Sequence, residues 1–114
     1  MNKTIDIANF LGTPNAIIHK FGMEVYSESV RYLSHGDKII LSFENVKNAT
    51  TGFFNALIGN LYKDYRDKFF ELVSVKGLEK NSDWVEKFED AIELVKSPER
   101  ITDIDEAIAK LFSE

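Results

Sequence analysis

The sequence predicts a small α/β domain: one mixed or mostly parallel sheet with helices packed on it. Three observations carry that expectation. Strand-like segments alternate with helical periods along the chain, the pattern of βαβ units. The run Lys38-Ile39-Ile40-Leu41-Ser42-Phe43 is almost continuously apolar, which reads as a strand covered on both faces, as in a parallel sheet. The 114 residues, 44% hydrophobic with nine Phe, suffice for one core and are far from a disordered composition.

The elements follow in order. Lys3 to Ala8 alternates, with Ile5 and Ile7 on one face, and predicts a short strand. Gly12-Thr13-Pro14-Asn15 is a turn. Ala16-Ile17-Ile18-His19 fits either a short second strand or a helix start. From Met23 a helical period is clear, with Met23, Tyr26, Val30 and Leu33 on one stripe, and Gly36 is placed as its left-handed cap. After the strand 38–43, Glu44 to Gly52 reads as a polar connection. Phe54, Leu57, Ile58, Leu61 and Tyr65 then mark a second amphipathic helix. Gly59 sits inside it, where Gly costs about 1 kcal/mol against Ala, so a close backbone contact is expected there. Phe69 to Val75 predicts a third strand, ended by Lys76-Gly77. A third helix begins near Asp83, with Asp83 and Glu86 at capping-box spacing and Trp84, Phe88, Ala91, Ile92 and Val95 on one face. Ser97-Pro98 stops it, and Ile104, Ala107, Ile108, Leu111 and Phe112 mark a last helix from about Asp103. The chain reads as a single domain over 1–114, with 98–114 as a C-terminal helical extension.

Composition excludes several functions. There is no Cys, so disulfide scaffolds, thiolate zinc sites and cysteine nucleophiles drop out, and a reducing, cytoplasmic setting is the expectation. The net charge of -5 speaks against a nucleic-acid footprint. That charge is uneven: residues 1–78 hold nine basic and eight acidic side chains, residues 79–114 five basic and eleven acidic. No stretch approaches the roughly 18–20 apolar residues that cross a bilayer, so no membrane contact is expected. His19 and His35 belong to no metal-binding pattern, and no nucleophile elbow, Walker loop or dinucleotide fingerprint occurs. Asp64, Asp67, Asp103, Asp105 and Glu106 read as helix-start or solvated-face charges rather than paired acid and base. No metal, cofactor or catalytic residue is expected, and the protein is read as a binder rather than an enzyme.

One segment stands out. Asn48-Ala49-Thr50-Thr51-Gly52 links the strand 38–43 to the helix beginning near Phe53, where α/β proteins commonly place function. Thr50 or Thr51 is placed as the helix N-cap. The functional alternative makes Thr51, or Thr50, a phosphoacceptor, since phosphate adds about −2 charge at a helix N-terminus. A third use of the same helix start, over 50–54, is an anion site for a small ligand or nucleotide.

The segment Gly36 to Tyr62 carries a resemblance. Gly36-Asp37 lead the strand, Phe43 and Val46 follow as Phe-x-x-Val, and Thr51, Phe53, Asn55, Ile58, Gly59, Leu61 and Tyr62 fall in register with a hydroxyl residue, a Phe and an Asn-x-x-Ile-Gly-x-Leu-Tyr helix. This resembles the STAS-like domain family of unknown function, which is related to the anti-sigma factor antagonists. Val73 to Leu78 and Gly12-Thr13-Pro14 resemble its flanking parts, so the likeness covers roughly 4–97. Where the family usually has Asp before that Phe, this chain has Ser42. The resemblance implies a four- or five-stranded sheet with helices mainly on one face. It also implies a non-enzymatic bacterial regulatory module that docks a protein partner, an ATPase-type serine kinase or an anti-sigma-like factor. In that reading Asn48, Gly52, Phe53 and Asn55 form the docking surface, beside the phosphoacceptor candidates Thr51 and Thr50.

Overall fold

The computed structural model describes residues 2–96. Strand β1 (Asn2–Asp6) leads directly into a short helix α1 (Ile7–Leu11), which ends on the left-handed Gly12. The two-residue strand β2 (Asn15–Ala16) precedes the long helix α2 (His19–Ser34). Strand β3 (Lys38–Ser42) and the two-residue β4 (Asn48–Ala49) follow. A composite helix then runs through α3 (Thr51–Phe54), a π-helical turn at Asn55–Gly59, and α4 (Asn60–Tyr65). After one 3₁₀ turn come α5 (Phe69–Leu72), strand β5 (Val73–Lys76) and, past a second 3₁₀ turn, helix α6 (Ser82–Lys96). The helix expected from Asp103, and Ser97-Pro98 as the stop of α6, lie outside the described residues.

Every strand pairing is parallel, in two ladders: β1-β3-β5 and β2-β4. The five strands and the α/β class agree with expectation; their division into a three-stranded sheet and a two-stranded ladder is new. The sheet is covered mainly on one face. The register aligns Ile5, Leu41 and Val75 in one row and Lys3, Ile39 and Val73 in another, and these rows hold the sheet's buried apolar residues. The alternate rows are Thr4, Ile40 and Ser74, then Asp6, Ser42 and Lys76. There Thr4, Ser74 and Lys76 are exposed, Asp6 and Ile40 are half-buried, and Ser42 is buried. The apolar run 38–43 therefore does not report two covered faces. Ile40 supplies the continuity from an otherwise polar, open face.

The composite helix 51–65 is the centre of the core. Phe53, Phe54, Ala56, Leu57, Ile58, Leu61 and Tyr62 are all buried. Fully burying one such side chain contributes about 1.5–3 kcal/mol, so this segment dominates the stability. Its middle is enclosed rather than striped, because it lies between α2 and α6 and against Phe43, while Thr51, Lys63 and Asp64 at its ends are exposed. The π turn widens the helix at its most crowded point, and Asn60 Nδ2 donates to the Ala56 carbonyl there (2.7 Å). The close backbone contact expected at Gly59 occurs instead at Gly22. A Cβ on Gly59 would stand 3.8 Å from the Ala91 carbonyl oxygen, whereas one on Gly22 would stand 2.7 Å from both Ala56 Cβ and the Phe53 carbonyl oxygen.

Three further boundaries differ from the sequence pattern. Phe69–Leu72 is helical and only Val73–Lys76 is strand, because Phe69 must pack on Tyr62 (5.7 Å) and Phe88 (6.2 Å). Helix α2 starts four residues before Met23 and buries Gly22, Val25, Ser29 and Leu33, a stripe displaced from the predicted one. Ser29 occupies the core because its hydroxyl donates to the Val25 carbonyl (2.7 Å). Helix α6 is capped by Asn81, whose Oδ1 accepts from the backbone N–H groups of Asp83 (2.9 Å) and Trp84 (3.4 Å). Asp83 and Glu86 are thus not its capping box. The expected α6 face is otherwise seen, with Trp84, Ala91 and Ile92 buried. Gly36 and Gly77 hold φ of 86° and 85°, as their turn positions require.

Candidate functional site

The loop after β3 is fastened along its length. Lys47 and Asn48 donate from their backbone N–H groups to the Pro14 carbonyl (2.8 and 3.3 Å), and Thr50 N–H donates to the Ala16 carbonyl (3.2 Å). Asn48 Nδ2 donates to Asn15 Oδ1 (2.7 Å). The β2-β4 ladder thus zips 47–50 onto 14–17 and presents one composite edge.

The two threonines part company on this edge. Thr50 is the N-cap: its Oγ1 accepts from Phe53 N–H (3.3 Å) and donates to the Ile17 carbonyl (3.3 Å). Thr51 is the first helical residue and is exposed. Of the predicted docking residues, Asn48 is exposed while Gly52 and Asn55 are half-buried. Phe53 is not surface at all. It is 0% exposed and packs edge-on against Phe43 (6.2 Å) and Phe54 (5.9 Å), so the core claims it. Asn55 opens the π turn, and its Oδ1 is buried without a hydrogen-bond partner.

The sequence pattern missed Ile17 and Ile18. They are 48% and 43% exposed, beside the Thr50 cap. An ambiguous strand-or-helix reading of 16–19 hid them: in a strand or an amphipathic helix one of the two would turn inward. Here they fill the short connection between β2 and α2, where both face out.

A second feature lies at the carboxyl end of β1. An open concavity of ≈ 420 Å³ is lined by Asp6, Ala8, Asn9, Gly12, Thr13, Pro14 and Asn45. Asp6 anchors it, accepting from Asn9 N–H (3.2 Å) as the cap of α1 and from Asn45 Nδ2 (2.9 Å). A lone carboxylate on its wall opposes an anion. The helix start at 50–54, expected as an anion site, is not part of this concavity.

The remaining ionisable groups do not converge. His19 and His35 lie at opposite ends of the α2 segment, about 24 Å apart by helical rise. His35 Nδ1–H donates to the Arg31 carbonyl (2.6 Å) at the helix end. Tyr26 donates its hydroxyl to Asp64, joining α2 to α4, and this bond pushes the phenol up to about 12. Burial, then the Asp64 charge, raises Tyr65 as well. A hydrogen bond from Arg31 holds Glu28 below its ordinary range. Among the described residues no group of three metal-capable side chains forms, and no helix is long and apolar enough to cross a membrane.

Fold and edge together define a small parallel α/β domain with one open sheet face and a hydroxyl-capped helix start. The model of the STAS-like domain of unknown function matches residues 22–83, and the chain belongs to that family. No curated protein and no solved structure matches it.

Proposed function

We propose that this domain is a non-enzymatic regulatory module that docks a protein partner through the edge formed by Ile17, Ile18, Asn48 and Thr51. The observation that supports this most is the pair Ile17 and Ile18, 48% and 43% exposed beside the capped helix start. Exposed apolar side chains next to polar groups on a fastened backbone suit a partner surface. Of the two phosphoacceptor candidates, Thr51 is the one we propose, because its side chain is exposed whereas Thr50 holds the cap. A phosphate on Thr51 would place about −2 charge against the two isoleucines, which opposes an apolar partner. By its family likeness, the partner is an ATPase-type serine kinase or an anti-sigma-like factor, in a bacterial cytoplasm.

Mass spectrometry after co-expression with the neighbouring genes tests the reading. A co-purifying partner, lost on Ile17→Asp and Ile18→Asp, supports it, and phosphate on Thr51 supports the switch. No partner and an unmodified Thr51 would overturn it. The concavity at Asp6 and Asn45 favours a second reading, a small polar ligand without net negative charge. A thermal-shift panel of such molecules tests that, and a flat response removes it.

A further inference from the structure

The concavity at the carboxyl end of β1 holds a carboxylate without a counter-charge. Asp6 ends β1, and both of its oxygens accept from neutral donors: Oδ1 from Asn9 N–H (3.2 Å) and Oδ2 from Asn45 Nδ2 (2.9 Å). Neither bond cancels the charge. Lys76 stands in the same register row, with Ser42 between them, yet its ammonium pairs with Glu44 (3.5 Å). Among the described residues no Lys, Arg or His lines the concavity.

What remains for a ligand is chiefly acceptor oxygen. An ionised carboxylate can only accept, so Asn45 must turn Nδ2 toward Asp6, and its Oδ1 is left over. Thr13 Oγ1 accepts from Asn15 N–H (3.2 Å) and keeps a second lone pair. Asp6 keeps lone pairs on both oxygens. Carboxylate, amide and hydroxyl thus belong to one concavity, whose apolar side is Ala8 and Pro14. A protonated primary amine matches that set, since it is a compact positive charge with three donors and no acceptor. A neutral hydroxyl would bring one donor and leave the Asp6 charge uncancelled. The volume of ≈ 420 Å³ lies in the range of small-molecule sites. The place also fits, because open α/β sheets hold ligands beyond the carboxyl ends of their strands.

We propose that this concavity binds a small primary ammonium compound with an apolar body. The ammonium meets Asp6, Asn45 and Thr13, and the body lies against Ala8 and Pro14. Such a compound is one case of the small polar ligands of the second reading, on which the assignment rests, narrowed by its charge.

Two-dimensional amide NMR of the full chain at neutral pH tests this with isoamylamine, isoamyl alcohol and isovalerate, which share one branched body and differ in the head group. The amine is expected to shift the amides of Asp6, Asn9, Gly12, Thr13 and Asn45 saturably. The alcohol is expected to bind at least about tenfold more weakly, and the carboxylate to leave these amides unmoved. Asp6→Asn keeps an oxygen to cap α1 and is expected to weaken the amine at least about tenfold. Asn45→Ala is expected to weaken it at least about threefold, and it decides the matter if Asp6→Asn also disturbs the amides of 53–62. Equal binding of alcohol and amine would overturn the ammonium site and leave the second reading standing. No shift by any of the three, or undiminished binding to both variants, would overturn the proposal. A stronger response to calcium or magnesium chloride would make this a metal site and overturn it equally.

Discussion

Over the described residues the composite helix 51–65 and helix α6 are of equal length and opposite character. The first is buried nearly all round in its middle, between α2 and α6. The second keeps a solvent face and buries Trp84, Ala91 and Ile92 on the other. A helix with a wet face records its orientation in the sequence, because water tolerates only polar side chains there. A helix enclosed on all sides is constrained by shape, and shape shows as small residues, close contacts and a π turn. Hence the α6 stripe was legible in the spacing of its apolar residues, whereas 54–65 looked amphipathic throughout because Lys63 and Asp64 are wet at its end and the half-buried Asn55 and Asn60 mimic a wet side in its enclosed middle.

The sharpest way to break this contrast is a matched truncation. Leu57→Ala should cost about 2–5 kcal/mol in chemical denaturation, because the enclosed site cannot collapse. Leu94→Ala should cost under about 0.5 kcal/mol, because that side chain is 45% exposed. Next, Gly22→Ala should cost about 1–3 kcal/mol by overpacking against Ala56 and the Phe53 carbonyl. Gly59→Ala should cost less, since a Cβ there meets only the Ala91 carbonyl oxygen at 3.8 Å. Asn81→Ala should cost about 1 kcal/mol by uncapping α6, whereas Glu86→Ala should be near neutral. The smallest effect concerns the tie between α2 and α4. Absorbance titration should show one tyrosine ionising near 12, and Tyr26→Phe should remove that phase. The Tyr26 phenol lies above its ordinary 10.0 in the folded chain, so its stabilising effect is complete below about pH 10 and lost as pH rises through about 12.

Local chemistry explains which parts of the fold were legible. Gly36 and Gly77 announce their turns because a left-handed backbone favours residues without a Cβ. The family motif from Phe43 to Tyr62 was legible because it spans the enclosed core. The strand predicted over 69–75 was half wrong because two adjacent Phe suit a helix or a strand equally, and only contact with Tyr62 and Phe88 decides. The candidate edge was partly legible. Its polar loop and hydroxyl cap sit within one stretch of sequence, but Ile17 and Ile18 come from 33 residues away and no local pattern links them. Asp6 and Asn45, 39 positions apart, were invisible for the same reason.

The β2-β4 ladder has a kinetic consequence. Its two residue pairs close a span of 33 positions that contains α2 and β3. Loop closure of that length is entropically costly, and two pairs return little until the intervening elements are packed. The edge bearing Ile17, Ile18 and Thr51 is thus among the last parts of the domain to assemble and among the first to open. A molecule that grips it would act as a clasp, slowing local unfolding of a segment that the core alone holds weakly.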